Sequence, residues 1–214
     1  MRGSVVFIFF IFIMFFAQMR FGQQKPVLSQ YMFSGLVLNP GYAGRHDYTS
    51  FTAMYRDQWI NFPGAPKLTT FTGQTGIKDK NIGVGLLISE DKIGVHNNLS
   101  VYGSYAYNVR LNNGAKLSLG LQGGVDMLRS DWTKLTIDDL NDPLITGSEN
   151  NYFPNFGTGF YYHSETLYMG VSVPYILTNR RTKDSDFFQD IRHSRNYYIT
   201  AGSLFDVGVK LKVK

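Results

Sequence analysis

The sequence predicts an all-β fold, an antiparallel transmembrane β-barrel of the outer-membrane type, on three observations. The body alternates apolar and polar residues with period two over stretches longer than ten residues. The polar faces of those stretches carry Gly, Ser, Asn, Gln and Tyr rather than charge, as a crowded wet lumen requires. The connections alternate between short and long, the habit of barrels with tight turns at one rim and loops at the other.

Composition agrees. The 214 residues carry a formal charge of +5 with only 17% charged residues, so a solvated disordered chain is excluded. There are 22 Gly, 17 Phe and 14 Tyr and no cysteine, which removes any disulfide framework, thiol nucleophile or cysteine metal site. The basic residues gather on no single stripe, so no nucleic-acid surface is expected.

Read in order, the chain opens with Arg2 and an unbroken apolar run from Val5 to Ala17. Thirteen residues fall short of the roughly 20 of a membrane helix. Residues 1–22 are therefore read as a signal peptide, with an uncleaved anchor as the alternative. Residues 23–47 follow as a periplasmic N-terminal segment, and residues 48–214 as the barrel.

The strands expected are Thr49–Arg56, Leu68–Gly76, Ile82–Ser89, Asn98–Val109, Ala115–Met127, Phe156–Tyr162, Leu167–Val173, Tyr197–Phe205 and Val207–Lys214. In Ala115–Met127 one face reads Leu117, Leu119, Leu121, Val125 and Met127, and the other Ser118, Gln122 and Asp126. Lys78–Asn81, Arg110–Gly114 and His163–Thr166 are the short turns; Asp57–Lys67, Leu128–Asn155 and Pro174–Asn196 are the long loops. About nine strands is an odd count, and an open strand leaves backbone groups unpaired in lipid. The barrel is thus expected to be incomplete, truncated on its C-terminal side, or the count is off by one. Aromatics near strand ends, among them Tyr55, Trp59, Phe62, Trp132, Tyr152, Tyr161 and Tyr197, read as an interfacial girdle.

No catalytic chemistry is visible. His46, His96, His163 and His193 are assigned to four separate connections without metal spacing. The acidic loop Asp131–Asp142 lacks the ligand spacing of a calcium loop and reads as solvated. Arg180, Arg181, Lys183, Arg192 and Arg195 make the last long loop basic. Nothing selects a serine for a serine–histidine hydrolase. No cofactor and no enzyme activity are expected.

Two blocks remain. The first is Ser29-Gln30-Tyr31-Met32-Phe33, leading into Leu38-Asn39-Pro40-Gly41-Tyr42-Ala43-Gly44. Pro40 fixes φ, and Gly41 is expected to supply a positive φ in a turn. The apolar residues ahead of it form a cluster able to plug a barrel or pack under its rim. The second is Tyr55-Arg56-Asp57-Gln58-Trp59, leading into Phe62-Pro63-Gly64-Ala65-Pro66, with Pro63-Gly64 again a tight turn. Both blocks resemble the PorP/SprF family of the type IX secretion system, with Gly41 where that family usually has Ala. The likeness runs from about Ser29 through most of the chain.

The resemblance implies a non-enzymatic outer-membrane component of the secretion and gliding machinery of Bacteroidota. It implies a periplasmic peptidoglycan-binding lipoprotein and secretion-ring subunits as partners, or a large surface adhesin as cargo. Ser29, Gln30, Tyr31, Met32, Phe33, Asn39, Pro40, Tyr42, Gly44, Tyr55, Arg56, Gln58, Trp59, Pro63 and Gly64 are the candidate partner-contact or motif residues. The alternative reading is a passive porin-like channel, although Tyr102, Gln122 and Tyr168 on the lumen face argue for a blocked interior.

Overall fold

The computed structural model describes residues 33–134, 147–178, 195–206 and 212–213. The apolar N-terminal run read as a signal peptide, Ser29 to Met32 and most of the basic loop lie outside them.

Eight strands form one antiparallel meander: β1 (Ser50–Asp57), β2 (Lys67–Ile77), β3 (Ile82–Ile93), β4 (His96–Arg110), β5 (Lys116–Asp131), β6 (Ser148–His163), β7 (Leu167–Val173) and β8 (Tyr198–Ser203). Among the described residues each pairs only with its chain neighbours, and β1 and β8 are the two edges. The result is a half-barrel. A separate two-stranded pair joins β9 (Phe205–Asp206) to β10 (Lys212–Val213). Of the expected ninth strand, only Lys212–Val213 is among the described residues.

The faces are inverted relative to a water-soluble sheet. Thr70, Thr72, Ser100, Ser104, Asn108, Ser118, Gln122 and Ser172 are buried on the concave side. Leu119, Leu121, Phe156, Met169 and Val171 are all more than 40% exposed on the convex side. An apolar face spread across the whole sheet far exceeds the patches that soluble monomers leave to water. It is the lipid face of a membrane barrel. Among the described residues no helix is long and apolar enough to cross a membrane.

All eight sheet strands lie where the alternation predicts, but several run further. The stretch Leu128–Asn155 is expected as a loop. Instead β5 continues to Asp131 and β6 begins at Ser148, paired in register from Leu128↔Asn151 to Asp131↔Ser148. The reason is physical. These 16-residue strands overrun the apolar band, which needs only about 10 residues. Outside lipid the backbone ladder persists while the side chains, Glu149, Asn150 and Asn151 among them, are polar on both faces. β3 likewise runs on to Ile93 and turns into β4 through Gly94 and Val95 alone, with Gly94 at φ +56.

The girdle is partly as expected. Tyr55, Trp59, Phe62, Tyr152 and Tyr197 are exposed at the long-loop end. Tyr161 instead points inward and is buried, because its position in β6 has concave parity. His96 and His163 also lie in strands rather than connections, as the first residue of β4 and the last of β6.

Candidate functional site: the segment seated on the concave face

Residues 33–47 lie against the concave face. One helical turn, α1 (Gly35–Leu38), leads into a 3-10 turn at Pro40–Tyr42. Asn39 caps that turn: its Oδ1 accepts from Gly41 N–H at 2.8 Å, and Pro40 sits at the first turn position, where its missing N–H costs nothing. The Asn39 amide also reaches the sheet, its Nδ2 donating to the Phe160 carbonyl at 2.9 Å. Ser172 Oγ donates to the Leu38 carbonyl at 2.6 Å, and Ser34 Oγ lies 3.0 Å from Thr72 Oγ1. The segment is thus tied to β2, β6 and β7.

Glycines of the sheet make room for it. A Cβ built on Gly83, Gly120 or Gly159 would fall 2.1 Å from Ala43 O, Gly41 N or Asn39 Oδ1 respectively. Leu36 fills the space over Gly85 and joins Ala43 and Ala106 in a small apolar core. The expected positive φ at Gly41 is not found. Gly41 is needed for close approach to Gly159 and Ser118, and the positive φ, +69, is at Gly44.

At the short-turn end the segment is held by charge. Asp47 Oδ1 lies 3.1 Å from Lys116 Nζ and 3.6 Å from Arg110 Nη2. Both partners of the Arg110 pair are more than 40% exposed, so that pair contributes at most about 1 kcal/mol. Arg45 stacks over Tyr42 and Tyr161, whose rings meet edge-on at 5.3 Å.

At the other end the chain after β7 folds inward. Gln122 Nε2 donates to Pro174 O at 2.8 Å, and Ile176 N–H to Phe156 O at 2.8 Å. Asn155 holds Leu177 by both amide groups, each bond 3.0 Å. Tyr175 is thereby buried against Leu87 and Tyr102, and Val37 of the segment packs on the same cluster. Burial, with the Asp126 carboxylate adding to it, pushes the Tyr175 phenol above its ordinary value, so it stays neutral. Beneath it Asp126, fully buried, accepts from Ser100 Oγ and from Tyr102 Oη. Substituting Asp126→Ala leaves both hydroxyls without this acceptor. A loss of about 1–3 kcal/mol is expected, read as a lower urea midpoint of the protein in vesicles. An unchanged midpoint would exclude Asp126 as a structural node.

Among the described residues the two sequence blocks are not brought together. Asn39, Pro40 and Gly44 are buried between the segment and the sheet, with Tyr42 half-buried. Tyr55 faces outward on β1 and donates to Asp57 at 3.2 Å. Arg56 precedes the loop that Gln58 N–H closes on Pro66 O. Trp59, Pro63 and Gly64 are exposed at its tip, where Trp59 and Asn61 take positive φ and Gly64 has φ +76, as the tight turn requires. Phe33 is exposed at the start of the segment.

Among the described residues no group of three or more His, Asp or Glu is placed to hold a metal. His96 Nδ1 lies 2.8 Å from Ser130 Oγ, a pair that no sequence signal selected. Ser130 is buried and offers no surface for attack on a substrate. The glycine seat, Asp126 and the inward turn at 174–178 were also missed. Their only trace in the sequence is glycine at concave parity in β3, β5 and β6.

Residues 20–214 match the family described as type IX secretion system membrane protein PorP/SprF. No curated protein and no solved structure matches.

Proposed function

The chain belongs to the PorP/SprF family of type IX secretion system membrane proteins, and from that membership we propose that it acts without catalysis, as an outer-membrane body that anchors other parts of the machinery. The observation carrying this reading is the pairing of an apolar convex face with a concave face occupied by the chain's own residues 33–47. A wall whose interior is filled by its own segment suits a fixed anchor better than a conduit. The short turns are assigned to the periplasm and the long loops to the outside, so β1 runs outward.

The periplasmic partner in this reading is a peptidoglycan-binding lipoprotein together with secretion-ring subunits. It would meet the N-terminal stretch from Gln24 to Asp47, whose Asp47 end is exposed, and the short turns. The exposed Trp59–Gly64 tip is assigned to the outer side, where a secreted adhesin is the alternative partner. Tagging the chain in its host, cross-linking the envelope and identifying what co-purifies tests this. Lipoprotein and ring subunits from the outer-membrane fraction are expected. A single large adhesin instead would make the chain a cargo-specific helper. Absence from the outer membrane would sink both readings. In planar bilayers the purified protein should give no steady conductance steps; regular steps would favour the porin-like alternative.

A further inference from the structure

The seated segment runs from the short-turn end of the sheet to its middle. At the short-turn end Asp47 is bracketed by Arg110 and Lys116. Ten residues earlier Val37 packs on the cluster of Leu87, Tyr102 and Tyr175. Tyr175 belongs to the turn that enters from the long-loop end. Its ring meets Tyr102 edge-on at 5.3 Å, and Tyr102 is fixed in turn by its bond to Asp126. The same turn hangs from the sheet by Gln122 and Asn155, and Arg195 Nε donates to Ile176 O at 3.0 Å.

We propose that residues 33–47 and residues 174–178 form one mechanical unit, joined inside the half-barrel at Val37 and Tyr175, so that displacing the segment at the short-turn end loosens the root of the long loop at the other. A packed cluster of this kind does not deform continuously; it holds or it separates. A periplasmic partner that shifts the segment would thereby change the outer surface with no solute passing between. The coupling is reciprocal, since both sides share the one cluster that holds or separates. Three features make the unit stiff. The glycine seat leaves the segment no slack beneath Ala43, Gly41 and Asn39. Gly157 lies so close to Pro174 that a Cβ there would sit 2.2 Å from Pro174 O. Tyr102 is fully buried and cannot turn aside without breaking its bond to Asp126.

The inference rests on the orientation proposed above, and the test separates the two. The sequence holds no cysteine, so Ile176→Cys, at a half-buried position of the turn, introduces the chain's single thiol. It is read in the host envelope with a membrane-impermeant maleimide. Asn155→Ala frees the turn directly and sets the rate of the open state. Val37→Ala, on the far side of the cluster, is expected to raise the labelling rate roughly five- to thirty-fold. Leu119→Ala on the convex face is expected to leave it unchanged. An unchanged rate in Val37→Ala beside a raised rate in Asn155→Ala overturns the coupling. The reverse reading uses Ser34→Cys, buried in the parent, with Tyr175→Ala as the perturbation and the envelope opened to the reagent. Faster labelling supports the unit, and an unchanged rate overturns it, including where Val37→Ala fails to assemble. If Ile176→Cys reacts only after the envelope is opened, the orientation is wrong, and the Val37→Ala ratio is then read in the opened envelope.

Discussion

Replacing Gly120 by valine is expected to unseat the N-terminal segment. The new side chain would start 2.1 Å from Gly41 N and 2.3 Å from the Pro40 carbonyl carbon. Neither is the loose end of a side chain that can swing away; both are backbone, in a turn capped by Asn39. Either the segment lifts or β5 bends, and overpacking of this kind costs about 3 kcal/mol. Gly83→Val and Gly159→Val should behave alike, since each would meet Ala43 or Asn39 at the same 2.1 Å. Gly103→Ala is the control: it points outward from β4, and the nearest atom to its new Cβ is Gly123 O at 4.0 Å. Urea unfolding in vesicles, with the reactivity of Ser34→Cys as a local reading, measures the effect. A Gly120→Val protein with the parent's midpoint and a protected Ser34→Cys would show that the segment does not sit on β5.

The second large effect is expected on the opposite face of the same strand. Leu121→Arg places a guanidinium midway along the outward run from Leu117 to Met127, where the leucine is more than half exposed. If that face meets lipid, the change costs about 2–4 kcal/mol near the bilayer midplane. Membrane insertion should then fail or slow sharply. Asn112→Lys, in the exposed turn between β4 and β5, adds a charge outside the lipid and should insert normally. A Leu121→Arg protein that inserts as well as Asn112→Lys would mean that the convex face is covered by protein rather than by lipid. The two experiments thus test one strand from its two sides, steric on the inner and dielectric on the outer.

The sequence announced the strands through β5 most clearly, because there the outward Leu117, Leu119 and Leu121 alternate with Ser118, Gly120 and Gln122. That signal is a record of lipid, and it ends where lipid ends. Glu149 to Asn151 on β6 are as firmly paired as Thr158 to Tyr162, yet their polar side chains read as loop. The inner face was harder for a different reason. Its small residues fit a wet lumen and a seat for protein equally well. Only the folded chain distinguishes them, by placing Ala43 over Gly83 and Asn39 over Gly159. Asp126 was equally silent. In the sequence it is one more polar residue at an inward position, and its partner Tyr102 is packed by Tyr175, which lies 49 positions beyond Asp126. The spacing of the motif blocks gives no hint that residues 33–44 lie against the concave face while the Trp59–Gly64 tip stands at the rim.

The seat also sets a timetable. Asn39 bonds a carbonyl 121 residues further along, and Leu38 receives a hydroxyl 134 residues further. The strands, by contrast, pair with their immediate successors and can zip one hairpin at a time. Closing a gap of that length costs about 4 kcal/mol of chain entropy if nothing between is yet ordered, and far less once the hairpins stand. The segment made near the beginning of the chain therefore waits for β6 and β7 before it settles. Its arrival is a late event in folding, and the rate of that last step governs how long the unfilled sheet persists.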